Sequence, residues 1–260
     1  MQNPKNILIT GAGSGIGRAL AIAYSKVGVN LFLCGRNIEK LKITSEICQK
    51  LGAQVSCRIL DVKDQIASQN LIVEIEKDFP LDLVIANAGI SAGTSQGTES
   101  FQQIKEIFTT NLDGVLHIIH PAIEKMKNRK CGQIAIISSL AGFCGLPSSP
   151  AYSASKAAVR VYGEALRGNL AQYGIEVSVV CPGYIKTPMT DVNDFYMPFL
   201  MSVEKCAKLI KHGLSINKSR IAFPFPLYFI VWLMALLSKK ITDPIFAKLP
   251  KKKSLIETEN

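Results

Sequence analysis

A chain of 260 residues suits a single α/β domain built on a large sheet. Its 48% apolar content excludes global disorder. The formal charge of +10 raises nucleic acid, an anionic membrane surface or an acidic substrate as partners. Most of the basic residues are scattered over helical segments without a recognition motif, which sets nucleic acid aside.

Apolar runs of strand length alternate with helix-period segments along the chain. NILIT (6–10) reads as a strand before a helix over 15–27, NLFLCG (30–35) precedes one over 37–51, and QVSCRIL (54–60) one over 64–78. LDLVIA (81–86) is followed by a long helical region, about 100–128. GQIAIIS (132–138) comes next, then a helix opening near Pro150, the strand IEVSVV (175–180) and a last strand, SRIAFP (219–224). Near-continuous apolar strands separated by helices indicate a parallel sheet covered on both faces, and right-handed crossovers make it one Rossmann-type, doubly wound sheet. Composition shifts after about residue 220. Residues 1–220 are therefore expected to form the domain, and 221–260 an apolar, Lys-rich, helical C-terminal extension.

The seven cysteines include no C-x-x-C pair, and several, such as Cys34 and Cys181, sit in apolar runs. They read as buried free thiols in a reducing cytosol, with no metal site expected. The strand at KNILIT leaves no room for a signal peptide.

TGAGSGIG (10–17) stands between the first strand and the first helix. Gly11, Gly15 and Gly17, with an additional Gly13, allow a tight turn, close approach of backbone to a pyrophosphate, and a helix start with free N–H groups. The second strand of an NAD-binding sheet usually ends in Asp or Glu for the ribose 2′-hydroxyl. Here Gly35 stands there and Arg36 follows. A guanidinium grips a 2′-phosphate that a carboxylate would repel, so NADP(H) is favoured over NAD(H). Arg18 is a second expected phosphate contact.

AYSASK (151–156) places Tyr152 four residues before Lys156, on one face of a helix whose start is marked by SSP. A free tyrosine, with a pKa of about 10, is a poor base at neutral pH. A nearby cation would favour its phenolate and bring it toward the range useful for general acid–base work.

The joint order of these motifs resembles the short-chain dehydrogenase/reductase family over roughly residues 5 to 220. TGAGSGIG resembles its cofactor turn: Gly11, Gly13, Ser14, Gly15, Ile16 and Gly17. LDV matches its adenine-side Asp61 and Val62. ANAG is similar to its N-N-A-G motif through Asn87, Ala88 and Gly89, with Ala86 in place of the first Asn. TTNLDG offers Asn111, ISSLAG offers Ser139, and CPGYIKT offers Pro182, Gly183, Ile185 and Thr187 near the nicotinamide. The resemblance implies an NAD(P)-dependent oxidoreductase acting on a carbonyl or alcohol. In it Tyr152 exchanges a proton with the substrate oxygen, Ser139 hydrogen-bonds that oxygen, and Lys156 also holds the nicotinamide ribose. Asn111 would hold a water relaying protons toward Lys156. It also implies a homo-oligomer. His117 and His120 are expected to be structural. A nucleotide-binding scaffold of the same fold and an NAD-dependent alcohol dehydrogenase remain as alternatives.

TDVNDFYMPFLMS (190–202) is expected to fold over the substrate, and Phe195, Tyr196, Met197, Phe199, Leu200 and Met201 point to an apolar ligand. LYFIVWLMALL (227–237) is apolar all round but too short to span a bilayer. Lys239, Lys240, Lys248, Lys251, Lys252 and Lys253 flank or follow it. Two readings stand: contact with an anionic membrane surface through 225–253, or burial in an oligomer interface or over the substrate pocket.

Overall fold

The computed structural model describes residues 1, 3–95, 97–250 and 252–254; Lys251 of the basic cluster and residues 255–260 of the expected extension lie outside the described residues. Its centre is a parallel sheet of β1 (Asn6–Thr10), β2 (Asn30–Gly35), β3 (Gln54–Ile59), β4 (Leu83–Ala86), β5 (Gly132–Ile137), β6 (Ile175–Pro182) and β7 (Arg220–Phe223). The spatial order is β3-β2-β1-β4-β5-β6-β7. Every adjacent pair is parallel.

Strand side chains alternate between the two faces. Ile7 and Ile9 join one core with α1 (Gly15–Tyr24), α2 (Ile38–Lys50) and α8 (Val203–Ser215). Leu8 joins the other with α3 (Gln65–Asp78), α5 (Gly114–Arg129) and α6 (Pro150–Leu170). Both faces are covered, which is why the central strands β1, β4 and β5 are mostly apolar, while the edge strand β3 alternates polar and apolar residues.

The helical region expected over 100–128 divides into α4 (Phe101–Phe108), one wide π turn (Thr109–Asp113) and α5. Asn111 lies in that π turn. α7 (Pro188–Asp191) and α8 were not in the alternation read from the sequence; buried Cys206, Ala207, Ile210 and Leu214 give α8 one apolar stripe. β7 continues the sheet across the expected 220/221 boundary.

Past β7, α9 (Phe225–Leu236) rests Leu227, Tyr228 and Val231 on Leu140, Val179 and Cys181. Phe225, Phe229, Ile230, Trp232, Leu233 and Leu236 of the same helix are exposed. α10 (Lys239–Phe246) buries Thr242 and Phe246. The chain then reaches back to the loop after β4, where the Gly93 N–H donates to the Lys253 carbonyl at 2.7 Å and the Ser95 N–H to that of Lys252 at 2.8 Å. Among the described residues no helix is long and apolar enough to cross a membrane. The seven cysteines are free thiols, with Cys34, Cys48, Cys181 and Cys206 buried.

Candidate active site

A cleft of ≈ 300 Å³ opens at the carboxyl ends of the strands. It sits where the strand order reverses between β1 and β4, the place where open parallel sheets take ligands. Of the expected site residues, Gly11, Ser14, Gly15, Ile16, Arg36, Asp61, Val62, Asn87, Ala88 and Gly89 line it, as do Ser139, Tyr152, Lys156, Pro182, Gly183, Ile185 and Thr187. Gly13, Gly17 and Asn111 do not.

The turn after β1 explains its glycines. Gly11 and Gly15 have φ of 65° and 51°, the left-handed region where glycine is favoured. A methyl at Gly17 would lie 2.3 Å from the Gly11 carbonyl oxygen and 2.7 Å from Asn87 Nδ2, so Gly17 serves close packing of α1 under the turn. Gly13 passes against Lys40, whose Cβ would be 3.1 Å from an added methyl. Ser14 does not cap α1 with its side chain, which leaves an open helix N-terminus of the kind that accepts an anion.

Arg36 is exposed at the cleft's edge. Arg18 Nε donates to Thr44 Oγ1 at 3.1 Å and its Nη2 to the Gly13 carbonyl at 2.5 Å, so the guanidinium braces the turn. Asp61 accepts from the Lys63 N–H at 3.0 Å. His117 Nδ1 lies 2.9 Å from the Val62 carbonyl and buttresses that wall. Asn87 Nδ2 donates to the Thr10 carbonyl at 2.9 Å, and the Asn87 and Ala88 N–H groups donate to Thr10 Oγ1 at 3.0 Å each. These bonds tie β4 to β1 although Ala86 replaces the family's first asparagine.

At the other end, Ser138 and Ser139 separate cleanly. Ser138 Oγ donates to the Lys156 carbonyl at 2.8 Å and is used within the structure. Ser139 Oγ accepts from the Ala141 N–H at 3.1 Å and, with Ser91, hydrogen-bonds the Tyr152 phenol. Lys156 Nζ lies 5.9 Å from the Tyr152 ring centre and donates to the Ile137 carbonyl at 3.0 Å. Burial lowers its pKa to about 8.

The expected acidification of Tyr152 by Lys156 is not what this structure holds. Burial pushes the phenol above its ordinary value, and the hydrogen bonds from Ser139 and Ser91 only oppose that shift. A phenolate loses its hydration in the closed end of the cleft, and that cost outweighs its local partners. The phenol is held protonated, the form that donates a proton.

Asn111 is fully buried. Its Oδ1 accepts from the Ile90 N–H at 2.8 Å, and its Nδ2 donates to the Ile90 carbonyl at 2.9 Å and to Ser155 Oγ at 3.1 Å. These bonds clamp the loop after β4 to α6. The expected lid also differs. Thr187, Pro188, Met189 and Thr190 line the cleft, and none of the six apolar residues of 195–201 does. Met201 is buried and bridged to Ile185, Phe195 lies edge-on to Tyr184, and Tyr196, Phe199 and Leu200 are exposed.

Two contributors escaped the sequence. Ser91 follows directly on ANAGI at the sheet's carboxyl edge, a position that could have flagged it. Lys252 donates to Ser91 Oγ at 2.6 Å from 161 residues away, and no local pattern announces that.

The sequence profile of the short chain dehydrogenase family matches residues 5–194. An uncharacterized oxidoreductase of Myxococcus xanthus is 33% identical over 246 residues, covering 93% of this chain and 94% of that one. The 3-oxoacyl-[acyl-carrier-protein] reductase FabG of Rickettsia prowazekii is 35% identical over 187 residues, covering 72% and 75%. Among solved structures, a single-residue variant of the actinorhodin polyketide ketoreductase with NADPH superposes with a TM-score of 0.78 at 26% identity, covering 88% of this chain and 98% of that one.

Proposed function

The chain belongs to the short chain dehydrogenase family and is an NAD(P)-dependent oxidoreductase, and from that premise we propose that it reduces the carbonyl of a substrate with an apolar body, using NADPH. The observation that carries this reading is the group of half-buried Ser139 and Tyr152 with buried Lys156 at one end of a cleft whose other end offers an open helix N-terminus and an exposed arginine.

The cleft residues fit a nicotinamide dinucleotide. Gly11 and Gly15 bring backbone to the cleft without a side chain, and no acid ends β2. In this reading Gly11, Ser14, Gly15 and Ile16 hold the pyrophosphate, with Gly13 and Gly17 shaping their turn. Arg36 holds the 2′-phosphate, and Asp61 and Val62 flank the adenine. Asn87, Ala88, Gly89 and Lys156 flank the ribose, and Pro182, Gly183, Ile185 and Thr187 the nicotinamide. The bound dinucleotide supplies the hydride. Tyr152 gives its proton to the carbonyl oxygen, and Ser139 Oγ hydrogen-bonds that oxygen as charge develops on it. Lys156, an ammonium below about pH 8, supplies positive charge beside the phenol. The reverse steps oxidise an alcohol. NADPH oxidation across a panel of aldehydes and ketones tests the reading, and no turnover of any of them would remove it.

The preference for NADP(H) rests on Arg36 and is supported by the NADPH-bound ketoreductase. Replacing a charge-assisted contact with a carboxylate costs about 1.5–3 kcal/mol. Arg36→Asp should therefore raise the NADPH dissociation constant about 10- to 100-fold and leave NADH binding nearly unchanged. An unchanged NADPH constant would mean that NAD(H) is the natural cofactor.

A second reading concerns location. Six large apolar side chains of α9 are exposed, that helix carries no acid, and Lys239, Lys240 and Lys248 follow it. In this reading the face rests on an anionic lipid surface, where each lysine contributes about 1 kcal/mol. Vesicles containing phosphatidylserine should capture the protein, and the double change Lys239→Glu, Lys240→Glu should release most of it. A homodimer that buries α9 and ignores such vesicles would overturn this reading in favour of an oligomer interface.

A further inference from the structure

We propose that Lys252, carried into the active site by the C-terminal tail, is a specificity-determining residue that seats a carboxylate of the substrate beside the reacting carbonyl. The inference rests on the reading of Ser139 and Tyr152 as the reacting end of the cleft.

The tail is built into this place. Besides the two backbone bonds to Gly93 and Ser95, the Ser254 N–H donates to Ser95 Oγ at 2.8 Å. A methyl at position 93 would lie 2.4 Å from Lys252 Cβ and 2.4 Å from its carbonyl oxygen, so the tail docks because residue 93 is glycine. Lys253 Nζ reaches Asp194 at 3.7 Å, which ties the tail to the segment after α7 as well. The tail therefore joins the loop after β4 to the segment after α7.

From this seat the Lys252 ammonium donates to Ser91 Oγ at 2.6 Å and lies 5.5 Å from the Tyr152 ring centre. Ser91 in turn hydrogen-bonds the Tyr152 phenol, on which Ser139 also converges. Two ammonium groups thus stand close to one phenol ring, at 5.9 and 5.5 Å. Among the described residues Lys252 makes no ion pair: Asp194 is paired with Lys253, and Glu99 accepts the Ala151 N–H at 2.9 Å. The acid lining the cleft, Asp61, is at the other end beside Lys63. Burial lowers the pKa of Lys252 to about 8. An ammonium with no ion-pair partner among the described residues has three donors, one of them used by Ser91, and its charge matches a monoanion. The substrate that satisfies it is an oxo-carboxylate with an apolar chain, its acid group a few bonds from the carbonyl that Ser139 and Tyr152 address.

The test has a binding arm and a turnover arm. Calorimetry of the full-length protein loaded with NADP⁺ should show octanoate binding at least tenfold tighter than 1-octanol. Lys252→Met, which keeps the apolar stem, should abolish that advantage and leave octanol affinity within twofold, and Lys252→Arg should restore most of it. In turnover, Lys252→Met should raise KM for 3-oxo-octanoate at least tenfold more than it raises KM for 2-octanone. The proposal is overturned if wild-type protein does not favour octanoate, if Lys252→Met weakens both ligands equally, or if it speeds turnover of both ketones, which would make the tail a cover. Octanoate preference without oxidation of NADPH by any carbonyl would sustain the carboxylate seat and remove the redox reading.

Discussion

Tyr152→Phe should lower kcat for carbonyl reduction by about 10²- to 10⁴-fold, the usual range for loss of a positioned proton donor, while the NADPH dissociation constant stays within about twofold. The phenol is the buried acid on which the Ser139 and Ser91 hydrogen bonds converge, and phenylalanine keeps the ring that lies beside the Lys156 and Lys252 ammonium groups. Cofactor fluorescence and stopped-flow turnover separate the two effects, and full activity in this variant would take the proton donor out of the scheme. The pH profile of the wild type adds a signed expectation. Burial brings Lys156 down from 10.5 to about 8, so its positive charge is present below that pH and lost above it. kcat/KM for reduction should fall as pH rises through about 8. Lys252 titrates in the same range, so Lys252→Met should keep the part of the fall that belongs to Lys156.

Gly17→Ala should be the most damaging single methyl in the cofactor turn. The added carbon would meet the Gly11 carbonyl oxygen at 2.3 Å, a backbone atom that moves only if the turn moves with it. Overpacking of this kind costs about 1–3 kcal/mol. For a chain of this size, each kcal/mol lowers Tm by about 2–4 °C. Because the displaced atoms belong to the turn that lines the cleft, NADPH affinity should drop at least tenfold alongside the loss in Tm. Gly168→Ala is the matched control. It lies in α6, a methyl there meets nothing within 4 Å, and alanine is the better helix former by about 1 kcal/mol. It should hold or raise Tm and leave the cofactor alone. Equal losses in both variants would show that the Gly17 effect is not the turn's.

The separation between what was legible and what was not follows the range of each interaction. Both faces of the sheet are covered, so β1, β2, β4 and β5 are mostly apolar and readable as short runs. Tyr152 and Lys156 are four apart on one helix, so their shared face follows from helical geometry alone. Gly11 and Gly15 announce positive φ within one turn. The bond of Arg18 to Thr44 of α2 was not legible, because the two are 26 residues apart. Asn111 was recognised by motif, yet its partners Ile90 and Ser155 come from two other segments. The apolar residues of 195–201 do not line the cleft, and their composition could not say which side of the loop faces it.

By itself, the sequence determined a doubly wound parallel sheet, a glycine turn at its first crossover, and a phenol and an amine on one helix face, because each depends on period or spacing within a few residues. The tertiary structure alone decided the protonation of Tyr152, since burial is a sum over every element that shuts water out of the cleft. It alone decided that Lys252 stands beside that phenol, since a contact across 161 residues is made by folding the whole chain and leaves no local mark.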